Sequence, residues 1–197
     1  MYRYEIAKNE DEKRAVLPLI KKLYVEQGYI SKDSENNSFT TFLLSPFTQV
    51  FMGYANDVLF ATISLVPDSD LGLPMDDLFK DELKPFKQKK IAEVTQYAVD
   101  HETLKEQDKS LTQIGQFMSS VPLLKIVLKT AKEKKIDYLC IAINPKHDPF
   151  YKSIGFVSIG ELKYYPKVNN APALPRILDI TTLENNEKLP GFLKNLD

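Results

Sequence analysis

His147–Phe156 reads HDPFYKSIGF. Pro149 suits the first turn of a helix, and Gly155 suits the left-handed residue that closes one, so the stretch predicts a short helix over Phe150–Ile154. That helix holds Tyr151. Two readings of the ring stand side by side at this point: a wedge packed under a sheet, or a phenol placed to hand over a proton.

The flanks supply the rest of a sheet. Upstream, IDYLCIAI (Ile136–Ile143) is a continuous apolar run suited to a central strand. Before it, Ser119 and Ser120 ahead of Pro122 suggest a helix start, with Leu124, Val127, Leu128 and Ala131 as its apolar face and KEKK at its negative end. Downstream, FVSIGELKYYP and ALPRILDI are the last strands. IAEVTQYAVD (Ile91–Asp100) is a further strand, and the polar HETLKEQDKS (His101–Ser110) after it is expected to be a mobile loop. QVFMGYA and LFATISLV flank the turn around Asn56 and Asp57 as a hairpin. Pro67–Lys90 is a proline- and charge-rich loop with a short helix near Met75–Leu83. At the N-terminus, Tyr2–Ala7 alternates as a strand, Asn9 and Glu12 form a capping box, and a helix follows that kinks or restarts at Pro18. Hairpins combined with a helical crossover imply an α+β fold with a central mixed, mostly antiparallel sheet flanked by helices.

Composition narrows the function. At 197 residues the chain fits one domain, 1–197. A net charge of −1 gives no basic field for nucleic acid, and no apolar run approaches the length needed to span a bilayer. Charges occupy the N-terminus where a signal peptide needs apolar residues. The single cysteine, Cys140, reads as a buried strand thiol, and a cytoplasmic home is expected. His101 and His147 have no metal-ligand spacing with it, so no metal is expected.

The unit from AEVTQYAVD through DYLCIAINP to PFYKSIGFVSIGE resembles the acyl-transfer half of the Gcn5-related N-acetyltransferase superfamily (GNAT), with FYKSIGF its most specific sign. The resemblance implies two parallel strands that splay around the pantetheine arm of a thioester donor. It also implies a tyrosine, matched by Tyr151, that protonates the departing thiolate. The family's usual glycine-rich turn, whose amides hold the coenzyme A diphosphate, is missing: after Val99 the chain reads DHETLKEQDKSLTQIG. Phosphopantetheine on an acyl carrier protein has no diphosphate, so the departure fits a carrier-protein donor. Within the superfamily, EVTQY (Glu93–Tyr97) is similar to a pattern of acyl-homoserine-lactone synthases and long-chain N-acyl amino acid synthases, and the C-terminal IGELKYYPKVNNAPALPRILDI resembles the N-acyl amino acid synthases, the favoured branch. Gln96 stands where those branches carry arginine. The implied reaction moves an acyl group from acyl-phosphopantetheine to a small amine such as an amino acid, with no tightly bound cofactor. An acetyl-coenzyme A transferase and an inactive acyl-ligand or partner-binding relative are the alternatives.

Amide formation from a thioester needs a base for the amine, donors for the oxyanion and an acid for the thiolate. Glu93, inside an apolar strand, is the candidate base, against an exposed-face carboxylate. Thr95 orients the acceptor or Glu93, or is present for its strand propensity. In a regular strand Glu93, Thr95 and Tyr97 share a face and Gln96 points away; Gln96 and Tyr97 are candidate acceptor contacts. The backbone at Ala98 and Val99, with Asn144 and Tyr151, forms the candidate donor site; Asn144-Pro145 is equally a turn starter. His147 reads as a solvated loop histidine. Lys84, Lys87, Lys89 and Lys90, or Lys125, Lys129, Lys132, Lys134 and Lys135, present candidate docking charges for an acidic carrier protein, against a simple solvated surface. Phe39, Phe42, Leu43, Leu44, Phe47, Phe51 and Phe60 are either core or the lining of an acyl tunnel.

Overall fold

A run of strand-forming residues, punctuated by Asn-Asp and proline turns, folds as the alternation above requires. The computed structural model describes residues 1–33, 38–185 and 190–193. Among the described residues are eight strands: β1 Tyr2–Ile6, β2 Gln49–Ala55, β3 Val58–Pro67, β4 Ile91–Val99, β5 Tyr138–Ile143, β6 Val157–Ser158, β7 Lys163–Tyr165 and β8 Ala171–Asp179. The helices are α1 Glu10–Arg14, α2 Leu17–Glu26, α3 Ser38–Leu43, α4 Asp76–Leu83, α5 His101–Gln107, α6 Gln113–Glu133 and α7 Asp148–Ser153. The sheet order is β1-β2-β3-β4-β5-β8-β6, with β7 pairing β8 off this path. β1–β2, β2–β3, β5–β8, β6–β8 and β7–β8 pair antiparallel, and β4–β5 pair parallel. The sheet is therefore mixed and mostly antiparallel, as expected.

The described chain divides into two compact units. One comprises Met1–Leu65 and Gln96–Val127. In it the β2–β3 hairpin turns at Asn56 and Asp57, both at positive φ (47° and 64°), the signature of the tight turn whose twist matches the strands. Asn9 caps α1 by accepting from the Glu12 amide at 2.9 Å, and α2 restarts with Pro18 in its first turn. Val16, Ile20, Leu43, Val50, Met52 and Ala98 form the core of this unit.

The second unit comprises Val66–Thr95 and Leu128–Asp197. Met75, Phe79, Leu83, Ile91, Cys140 and Ile177 lie together at its centre, so α4 packs its apolar face onto β4, β5 and β8. β5 pairs with β8 along its whole length, from Tyr138↔Asp179 to Ile143↔Leu174. Its parallel pairing with β4 covers Ile91–Glu93 against Tyr138–Cys140 and does not continue over Val94 and Thr95.

Two local expectations are corrected. His101–Ser110 is not a loop along its length, because Asp100 caps α5 over His101–Gln107. The helix expected to start at Ser119 begins at Gln113 instead, with the Thr112 hydroxyl accepting from the Gly115 amide at 3.1 Å. Pro122 therefore lies inside α6, where it cannot donate to the Met118 carbonyl. One carbonyl on, Ser119 accepts the Tyr4 hydroxyl at 2.6 Å.

Candidate active site

β4 carries the candidate base. Glu93 is buried, with 3% of its surface exposed. Its Oε2 accepts the Met75 backbone amide at 2.7 Å. Desolvation pushes its pKa up to about 8; the Met75 bond and the Lys87 ammonium oppose the rise, while Asp76 and Asp77 add to it. On β5 its register partner is Cys140, whose own thiol is pushed well up by burial and bonds the Ala92 carbonyl at 3.5 Å. Lys87 is not a free docking charge: it is fixed between Asp68 and Asp76, at 3.0 Å from each.

Beyond Glu93 the strand is not regular. Gln96 has φ of 53°, a left-handed conformation that costs a residue with a Cβ roughly 1–2 kcal/mol. It breaks the two-residue alternation from which a shared face for Glu93, Thr95 and Tyr97 follows. Gln96 is buried and its Oε1 accepts the Ser64 hydroxyl at 3.0 Å. Tyr97 is held by Ser120, and burial pushes its phenol up to about 12, which keeps it protonated under ordinary conditions. Thr95 is half-buried, Ala98 lies in the first unit's core, and Val99 is the last residue of β4.

The turn after β4 is built around one carboxylate. Asp100 Oδ1 accepts the Thr103 amide at 2.9 Å, while Oδ2 accepts the Thr103 hydroxyl at 2.8 Å and the Lys22 ammonium at 2.7 Å. The Asp100 carbonyl accepts the Leu104 amide, and its own amide donates to Phe60. The Thr103 and Leu104 amides at the start of α5 are thus held by the chain's own acid, whose pKa falls because the Lys22 and Thr103 bonds outweigh burial. Sequence reading passed over this residue, although an aspartate three positions before a threonine is itself a cap signal.

α7 carries Tyr151. The helix is closed by Gly155 at φ 100°, and the Tyr151 carbonyl accepts from Ile154 and Phe156 at 3.2 and 3.1 Å. Its ring is 8% exposed and meets Phe150 and Phe156 edge-on, with centroids 5.2 and 5.5 Å away. Tyr151 is thus a packed ring on the helix that follows β5 in the chain. Asn144 Oδ1 accepts the Lys146 amide at 3.1 Å, which makes it the cap of the 3₁₀ turn Pro145–His147. Burial and the neighbouring Lys146 lower the pKa of His147. Glu93 is gathered with Met75, Asp76, Lys87 and Cys140, and Tyr151 with Phe150 and Phe156.

Arg176 and Asp148 were missed in the sequence, where 28 residues separate them. Arg176 Nε donates to Asp148 Oδ1 at 2.6 Å, and both side chains are largely buried. Among the first-half residues, Leu43, Phe51 and Phe60 are fully buried core, Phe42 and Leu44 are half-buried, and Phe47 is exposed. The Phe39 side chain lies outside the described residues. Among the described residues no three His, Cys, Asp or Glu side chains gather as a metal-binding group, and no helix is long and apolar enough to cross a membrane.

No curated protein matches this chain. The family described as N-acyl amino acid synthase FeeM matches residues 15–179. The structure of FeeM, an N-acyl amino acid synthase from uncultured soil microbes, is 37% identical, covering 94% of this chain and 95% of that one with a TM-score of 0.83. The chain belongs to the FeeM family of N-acyl amino acid synthases. More remote structures share the architecture of this FeeM-family chain. Escherichia coli ElaA is 16% identical over 91% of this chain and 100% of its own, with a TM-score of 0.58. An acyl-CoA N-acyltransferase from Pseudomonas aeruginosa is 14% identical over 90% and 99%, also at 0.58. At those identities the likeness shows the fold alone, and the fold is that of the Gcn5-related N-acetyltransferases. Family and fold together make this FeeM-family member an acyltransferase.

Proposed function

We propose that this acyltransferase moves a long-chain acyl group from the phosphopantetheine of an acyl carrier protein to the amine of an amino acid. The observation that carries the donor assignment is Asp100. Where a coenzyme A enzyme of this fold offers bare amides to a diphosphate, the turn after β4 is filled by a carboxylate bonded to Thr103 and Lys22. A diphosphate there meets like charge and a Thr103 amide already taken, whereas a carrier-borne thioester brings no diphosphate. The acceptor class is supported by the likeness to FeeM, an N-acyl amino acid synthase.

In this reading Tyr151 protonates the departing thiolate, and the backbone near Ala98 and Val99, with Asn144, lines the pantetheine arm. Glu93 is the ultimate proton acceptor for the amine. Because its carboxyl is withdrawn from solvent, the proton reaches it over an intervening water rather than by direct contact. Thr95, Gln96 and Tyr97 are the residues of β4 assigned to the acceptor, and exposed lysines such as Lys129 and Lys132 steer the acidic carrier. Residues 1–197 act as one acyltransferase domain, since each compact unit is assembled from two separate stretches of chain. Its place is the cytoplasm, where its donor is charged.

The test supplies long-chain acyl-carrier protein, or the matching acyl-coenzyme A, with a panel of amino acids and reads acyl-amides by mass spectrometry. Product from the carrier thioester at least about tenfold faster than from acyl-coenzyme A is expected, the loss following from like charge and unmet hydrogen bonds at Asp100. Equal rates from both donors sink the donor assignment, and no acyl-amide from either sinks the activity.

A further inference from the structure

α7 is six residues long, too short to hold itself in place, so its position is set by what grips it. Gly155 ends it, the Asn144 turn leads into it, and one ion pair reaches it from the sheet. That pair joins Arg176 of β8 to Asp148, the first residue of the helix. Arg176 is a rigid anchor, because its strand is paired on both sides: Arg176 stands opposite Ile141 of β5 and Ser158 of β6. A second guanidinium nitrogen, Nη1, donates to the Pro175 carbonyl at 3.3 Å, which fixes the plane of the group. From the more exposed side Lys152 reaches the other carboxylate oxygen at 2.8 Å. Held by these two cations, Asp148 has its pKa lowered to about 2.

A buried ion pair rarely adds net stability over apolar residues of similar volume, because desolvating two charges offsets their attraction; what it supplies is direction. Asp148 and Tyr151 are three residues apart, so they lie on neighbouring positions of one helix face. We propose that Arg176 is a positioning residue for acyl transfer: by gripping Asp148 it fixes α7 on the sheet and so fixes where the Tyr151 hydroxyl stands. The inference rests on Tyr151 acting as the acid for the leaving thiolate, and it adds a residue outside the strand and helix that carry the chemistry.

The test is a kinetic cycle on the full chain: wild type, Tyr151→Phe, Arg176→Gln and the double variant, with acyl-carrier protein as donor. Arg176→Gln is expected to lower kcat about tenfold or more at an acceptor KM within about twofold, since small displacements of a reacting group carry losses of that order. In the Tyr151→Phe background the same substitution is expected to cost nothing further, an epistasis that a general loss of stability does not produce. A second variant, Arg176→Met with Asp148→Leu, replaces the pair by apolar side chains and is expected to keep the wild-type urea midpoint while still losing kcat. Additive losses in the first cycle, or full kcat in either Arg176 variant, overturn the inference while leaving the acid role of Tyr151 intact. Wild-type kcat in Tyr151→Phe removes that role, and this inference with it.

Discussion

Glu93→Gln isolates the most unusual group in the protein. The substitution keeps the size of the side chain and an oxygen for the Met75 amide, while removing the titration. In the unfolded chain Glu93 ionises near the ordinary 4.5; in the fold it holds its proton up to about 8. Below pH 4.5 both states carry the proton and the group adds no pH dependence. Between 4.5 and about 8 the unfolded chain has shed it and the folded chain has not, so stability falls as pH rises; above about 8 the fall levels off. At 1.36 kcal/mol per pH unit the whole window is worth on the order of 5 kcal/mol, of which about 4 lies between pH 5 and pH 8.5. Asp76 and Asp77 push in the same direction as burial, and Lys87 pushes back. Urea unfolding followed by circular dichroism at pH 5, 6.5 and 8.5 reads this directly. The wild type is expected to lose about 4 kcal/mol more than the variant across that range, a sizeable part of a typical domain's total stability. Two profiles that run parallel to within about 1 kcal/mol would falsify the assignment of Glu93 as a buried, proton-holding carboxyl.

The rate of acyl-amide formation is expected to rise with the loss of one proton near pH 8, and Glu93→Gln to flatten that limb and lower kcat by about 100-fold; a stopped assay from pH 6 to 9.5 reads both. Tyr97→Phe removes the hydroxyl that meets Ser120 and is expected to cost about 1 kcal/mol in urea unfolding without moving the pH-rate profile, because a phenol pushed up to about 12 does not ionise in that range. Asp100→Ala removes the α5 cap and the partner of Lys22, and should cost about 1–2 kcal/mol at pH 7. Because the pKa of Asp100 is lowered in the fold, that cost shrinks as pH falls through the carboxylate range; an unchanged cost at pH 3 would contradict the arrangement.

Much of the fold was legible because its signals are local. Asn9 with Glu12, Asn56-Asp57 between two apolar runs, and Gly155 after a short helix each act through their own backbone, and each fell where it was expected. Pro122 misled because a proline commonly marks a first turn, while α6 tolerates it in mid-course. HETLKEQ lacks an apolar stripe, so its helix was visible only through the Asp100 cap. The candidate site was half legible. Glu93 and Tyr151 stood out by residue type and neighbours, but a partner such as the Met75 amide leaves no mark in a side-chain pattern. Nothing about a glutamine announces a left-handed φ, so the break at Gln96 was invisible. Arg176 and Asp148 are joined by topology, through β8 lying beside β5, and neither residue alone signals the other.

Cys140 is the only sulfhydryl in the chain, and it sits on the strand that faces Glu93, fully shielded and tied to the Ala92 carbonyl. That makes the native sequence its own single-site clock. A thiol reagent added to the folded protein can modify it only when the core packed over it by α4 opens or β4 and β5 part, so the labelling rate counts openings around Glu93, with no engineered probe and no second site to confuse the trace.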